Sequence, residues 1–71
     1  MKRKIVVSTY RTFDRWVRAK CLNRTNFIPI NSERDAWAFS PSATVDAAIV
    51  VLHDADFDAV CRLRDRGFQP Q

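Results

Sequence analysis

Lys4-Ile5-Val6-Val7-Ser8-Thr9-Tyr10-Arg11-Thr12 decides the fold: a β-branched run passes through two hydroxyls straight into a helical pattern. The run is continuously apolar rather than alternating. Both faces are therefore expected to be covered, as in the central strand of a parallel sheet. Ser8 or Thr9 can cap the helix that follows, which is expected to reach Cys21 or Leu22. Tyr10, Phe13, Val17 and Cys21 share one helical stripe with Trp16 beside it, and that stripe should face the sheet. The opposite face carries Arg11, Arg15 and Arg18, with Asp14 spaced to pair Arg18 one turn on.

Working outward, Asn23-Arg24-Thr25-Asn26 reads as a turn in which Asn23 ends the helix in a left-handed conformation. Phe27-Ile28-Pro29-Ile30 is a second strand, placed at an edge because Pro29 has no N–H to give a ladder. Asn31-Ser32-Glu33-Arg34-Asp35 opens a brief second helix with a capping box from Ser32 to Asp35. It should end near Phe39, where Ser40-Pro41-Ser42 follows, with Trp37 against the sheet. Asp46 to Leu52 holds the longest apolar run, Ala47-Ala48-Ile49-Val50-Val51-Leu52, and is the third strand, again expected to be buried on both faces. The third helix covers about Phe57 to Arg66. Its start is acidic (Asp54, Asp56, Asp58) and its end basic (Arg62, Arg64, Arg66), both favourable to the helix dipole. Gly67, the one glycine in the chain, falls at the left-handed C′ position. Leu63 and Phe68 are then the apolar pair of a Schellman motif.

The expected architecture is a single α/β domain over residues 1–71, a small three-layer βαβαβα arrangement with a three-stranded, mostly parallel sheet of order 2-1-3. The direction of the third strand stays open, because Ser32 to Val45 only just supplies the dozen residues of a parallel return. A chain of 71 residues buries only about 60% of its unfolded surface, so its stability should be modest. Met1-Lys2-Arg3-Lys4 is followed by only three apolar residues, too few for a secretory signal, and no run reaches membrane-spanning length. A soluble, unprocessed, cytoplasmic protein without membrane contact is expected. Cys21 and Cys61 fall on apolar helix faces and read as reduced core thiols. They form no CxxC or Cys/His cluster that would hold a metal.

Three constellations compete as functional sites. Parallel strands would bring Ser8, Thr9, Arg11, Asn31, Ser32 and His53 to one rim, where open α/β sheets bind ligands and where an anion or nucleotide could sit. Every one of these residues has a capping or turn explanation, however, and no phosphate-loop glycine or Walker lysine is present. His53 with Asp54 or Asp56, and Ser8 or Cys61 as nucleophile, is the catalytic variant of that rim. A turn histidine beside helix-capping acids explains the same residues without chemistry. Arg11, Arg15 and Arg18 form the nucleic-acid candidate in a chain of net charge +4, interrupted by Asp14 and lacking any recognition-helix or RNP pattern. Finally, two Trp, five Phe and one Tyr are more aromatic area than so small a sheet can cover. A patch at Trp16, Trp37 or the edge formed by the third strand would then serve contact with a host protein or with a second copy.

The Ser8-Thr9-Tyr10-Arg11 turn, the helix bearing Trp16, Phe27-Ile28-Pro29-Ile30-Asn31-Ser32 with Asp35, and Ala48-Ile49-Val50-Val51-Leu52 before a helix ending Arg66-Gly67 together resemble small uncharacterised α/β proteins encoded by bacteriophages of high-GC actinobacteria. The likeness runs along most of the chain. It implies a truncated Rossmann-like or P-loop-like fold without the phosphate loop, and an accessory protein acting by binding on host components. It carries over no site residue and no cofactor. The expected function is therefore non-catalytic protein–protein binding, with phosphate contact through the arginine stripe second and ligand binding at the rim third.

Overall fold

A computed structural model describes residues 2–40 and 44–70. β1 (Lys4–Val7) leads through Ser8 into α1 (Tyr10–Ala19); a 3-10 turn (Arg24–Asn26) precedes β2 (Phe27–Ile30), followed by α2 (Glu33–Ala38), β3 (Ala48–Val51), α3 (Phe57–Asp65) and β4 (Gln69–Pro70). The sheet order is β2-β1-β3-β4, and every pairing is parallel. The expected 2-1-3 core is thus present, with β3 parallel. The expected strand count is corrected from three to four. After Gly67 the chain turns back beside β3, and the Gln69 amide donates to the Ala47 carbonyl at 2.8 Å. A two-residue strand containing proline has no apolar run, so nothing local announces it.

β1 is central because it can be: Ile5, Val6 and Val7 are fully buried. Ile5 and Val7 join Ile30, Ile49, Ala36, Ala59, Leu63 and Phe68 on the side of α2 and α3. Val6 meets Phe13 and Val17 on the side of α1. The cover is unequal, two helices on one face and one on the other. β3 departs from the expected burial on both faces: Ile49 is fully buried, Val50, on the single-helix face, is only half-buried, and Val51, on the same face as Ile49, is exposed.

The helix ends follow their caps. Thr9 is the N-cap of α1, its hydroxyl accepting from the Thr12 amide at 3.3 Å. Ser32 accepts from the Asp35 amide at 3.3 Å, while the Asp35 carboxylate accepts from the Asn31 amide at 3.2 Å, so the expected capping box closes on the residue before the cap. Pro41 and Ser42, read as the stop of α2, lie outside the described residues. At the end of α3 the Phe68 amide donates to Leu63 O and the Gly67 amide to Arg64 O, both at 3.0 Å, with Gly67 at φ +97°. This is the Schellman motif the sequence announces.

α1 ends the same way, two to three residues before the expected position. The Leu22 amide donates to Val17 O at 2.9 Å and the Cys21 amide to Arg18 O at 3.2 Å, which puts Cys21 at C′ with φ +53°. Asn23 is instead the N-cap of the 3-10 turn, accepting from the Thr25 amide at 3.1 Å. Two expectations are corrected together: Cys21 is exposed, not core, and Asn23 is not the left-handed residue. A side chain in the left-handed region costs about 1–2 kcal/mol, which glycine would not incur. Cys21→Gly is accordingly expected to raise stability by about 0.5–1 kcal/mol after its greater unfolded-state entropy is subtracted, read as a higher urea midpoint at unchanged slope.

Two aromatic assignments also change. Tyr10 is exposed because the first turn of α1 overhangs the strand ends. Its hydroxyl accepts from Arg24 Nη1 at 2.9 Å. Trp37 is exposed because a helix of six residues has a single inward stripe, taken by fully buried Ala36. The indole instead lies under the Arg62 guanidinium, 4.5 Å from ring centroid to carbon.

Candidate functional site

The rim formed by the strand ends is built from the first turn of α1, the residues after β2 and the residues after β3. Ser8 is fully buried, its Oγ donating to the Thr9 carbonyl at 2.9 Å, while Asn31 Nδ2 donates to the Ser8 carbonyl at 2.8 Å. The second bond ties the end of β1 to the end of β2, and the first leaves the Ser8 hydroxyl no free proton to offer a substrate.

The centre of the rim is held by a residue assigned above to helix capping and to orienting His53. Asp54 Oδ2 accepts from Thr9 Oγ1 at 2.7 Å and Thr12 Oγ1 at 2.6 Å, and Oδ1 accepts from the Thr9 amide at 3.3 Å. A carboxylate of the chain itself thus occupies the N-terminus of α1, the place where a phosphate binds in nucleotide folds. Thr9 and Thr12 both offer hydroxyls at the start of one helix, which is the only sequence signal for this network. Its acceptor lies 42 residues further on from Thr12. Asp54, expected at the acidic start of α3, does not cap it: the cap is Asp56, accepting from the Asp58 amide at 2.9 Å.

The hydroxyls of Thr12, then Thr9, hold the Asp54 carboxyl below its ordinary range because they donate to its charged form. A folded-state value below the unfolded one stabilises at neutral pH, and the contribution is lost as pH falls from about 4 through the lowered value. Asp54→Asn is expected to melt lower than the parent at neutral pH, with the two melting temperatures converging in acid. Parallel melts from neutral to acidic pH would reject this if the gap stayed constant. Asp14 is lowered in the same direction, first by the hydrogen bond from Arg24.

The other rim residues disperse. Ser32 is engaged in its cap, and Arg11 and His53 are exposed. His53 makes no hydrogen bond among the described residues, and its influence on Asp54 is through charge. The nucleophiles weighed beside it are a buried Ser8 and a half-buried Cys61 on α3. Among the described residues no group of three or more His, Cys, Asp or Glu is arranged to hold a metal ion.

The arginine face is present but shortened. Arg18 Nε lies 3.1 Å from Asp14, which also pairs with Arg24, whereas Arg11 and Arg15 make no ion pair among the described residues. Arg24, in the 3-10 turn, is stacked over Tyr10 and Phe13, 5.9 and 5.8 Å from the ring centroids. Two unpaired guanidiniums neutralise about two phosphates, giving a salt slope of only about −2.

Large apolar side chains stand on the surface in several places: Phe57 is 75% exposed, Trp37 62% and Tyr10 56%. Trp16 is half-buried, edge-on to Phe27 at 5.1 Å, and also lines a groove of about 290 Å³ with Thr12, Arg15, Ala19, Leu52 and His53. No helix of the described residues is long and apolar enough to cross a membrane. Comparison of the chain with protein-family models, with curated proteins and with solved structures found no match.

Proposed function

We propose that this protein is a non-catalytic binding module that works through contact with another protein, of the phage accessory type its sequence resembles. One observation carries the reading: the core is complete without Phe57 and Trp37, yet both stand largely in solvent. Exposed aromatics cost solubility and supply the anchors that dominate protein interfaces. The self-filled rim argues against nucleotide binding there, since a ligand would first have to displace Asp54 from two threonines. Two unpaired thiols suit a reducing cytoplasm.

The test is affinity capture from an actinobacterial host lysate after nuclease treatment, comparing the parent with a Trp37→Ser, Phe57→Ser variant. A protein retained by the parent and lost by the variant is expected. Retention that vanishes with nuclease and ignores both substitutions would overturn the reading. Phosphate contact through Arg11 and Arg15 is the second reading, favoured by their lack of partners. It requires a gel shift that weakens with salt and with Arg15→Glu.

A further inference from the structure

The uneven cover of the sheet leaves a specific vacancy. α1 alone lies on its face, with Phe13 and Val17 over Val6 and Trp16 against Phe27 of the β2 edge. On the other flank of α1, Val50 and Leu52 of the β3 side pack against that small core and stay half-buried. The groove of about 290 Å³ sits there, with Thr12, Arg15, Trp16 and Ala19 forming its helical wall and Leu52 and His53 its strand wall.

The chemistry of this groove is one-sided. Its floor is apolar, its rim carries exposed Arg15 and His53, and no carboxylate lines it. Arg15 makes no ion pair among the described residues, and Arg11 stands one turn above it in the same condition. The acids next in sequence to its residues are engaged elsewhere, Asp54 on Thr9 and Thr12 and Asp14 on Arg18 and Arg24.

We infer that the open face of β3 beside α1 is a docking groove for an acidic amphipathic helix of a partner protein, a contact surface separate from Phe57 and Trp37 that rests on the protein-binding reading above. Helices in a layer lie about 8–10 Å apart, so a helix beside α1 would cover the exposed side of β3. Its apolar face would meet Leu52, Val50 and Ala19, and its carboxylates would meet Arg15 and Arg11. Charge complementarity selects the occupant. A second copy of this chain carries +4, and its longer helices are basic on the outer face of α1 and at the end of α3, so it would bring like charge to Arg15. A nucleic-acid backbone would satisfy Arg15 but leave the apolar floor against water.

The experiment is a titration of the isotope-labelled full chain, followed by amide NMR, with a synthetic helix bearing leucines on one face and glutamates on the other, and with its lysine counterpart. Shifts centred on Arg15, Ala19, Val50 and Leu52 with the glutamate helix only are expected. Affinity should fall about tenfold on Arg15→Glu, and binding should be lost on Ala19→Arg, which fills the groove from an exposed helix position without touching the core. Shifts at Trp37 and Phe57 instead would overturn the groove while leaving a protein-binding module. No shift with either helix would overturn the groove, and shifts at Arg11 and Arg15 on adding a DNA duplex would assign that face to phosphate contact instead. Concentration-dependent shifts in the groove without any peptide would assign it to a second copy and overturn the acidic partner.

Discussion

Phe13→Ala is expected to leave most of the protein unfolded at room temperature. Phe13 is 1% exposed and is the largest side chain that α1 buries in the small core on its face, beside Val6 and Val17. Truncating a buried phenylalanine costs about 3–5 kcal/mol in lost transfer energy and cavity. A chain of 71 residues has in total about 4–11 kcal/mol, and small single-core domains sit near the bottom of that range. Tyr10→Ala is the control, since it removes an aromatic from the same helical stripe at an exposed position. It forfeits one hydrogen bond from Arg24 and part of a cation–π contact, about 1 kcal/mol together. Circular dichroism with urea titration reads both. Equal losses for the two variants would refute the layer assignment of α1.

Leu63→Ala should cost about 2–5 kcal/mol, the next largest effect. Leu63 is fully buried in the larger core with Ile49, Ala36, Ala59 and Phe68, and it is also the residue whose carbonyl closes the C-terminal motif of α3. Gly67→Ala separates the two roles. A Cβ at Gly67 would meet nothing within 4 Å, so only the φ of +97° penalises it, by about 1–2 kcal/mol. Packing predicts a much larger loss at Leu63 than at Gly67. The reverse ranking would mean that the turn, rather than the core, holds α3 and β4 in place.

Much of this fold is legible along the chain because its signals are local. A continuous β-branched run at Lys4–Val7 marks a central strand, Thr9 and Ser32 mark helix starts, and Gly67 with Leu63 and Phe68 marks a helix end, each within five or six residues. The failures share a different property. Cys21 carries no side-chain signal for a left-handed residue, and only the bonds from the Leu22 and Cys21 amides to Val17 and Arg18 show where α1 stops. Tyr10 and Trp37 lie on or beside apolar stripes that run past the sheet they should cover. β4 exists only because β3 offers a free edge, and two residues suffice to pair with it.

The candidate sites divide along the same line. Arg11 and Arg15 could be named from helical spacing alone, but Arg18 is half-neutralised by an acid that Arg24 also holds. The rim residues could be named from parallel topology, but Asp54 fills the rim from the far end of the chain. Which elements form, and in which order the first three strands lie, was determined by the sequence, because periodicity, caps and crossover rules act over short stretches. Which faces stay open was decided only in three dimensions. One helix on one side and two on the other leaves a groove between α1 and the end of β3, and that imbalance is a property of packing that no stretch of residues contains.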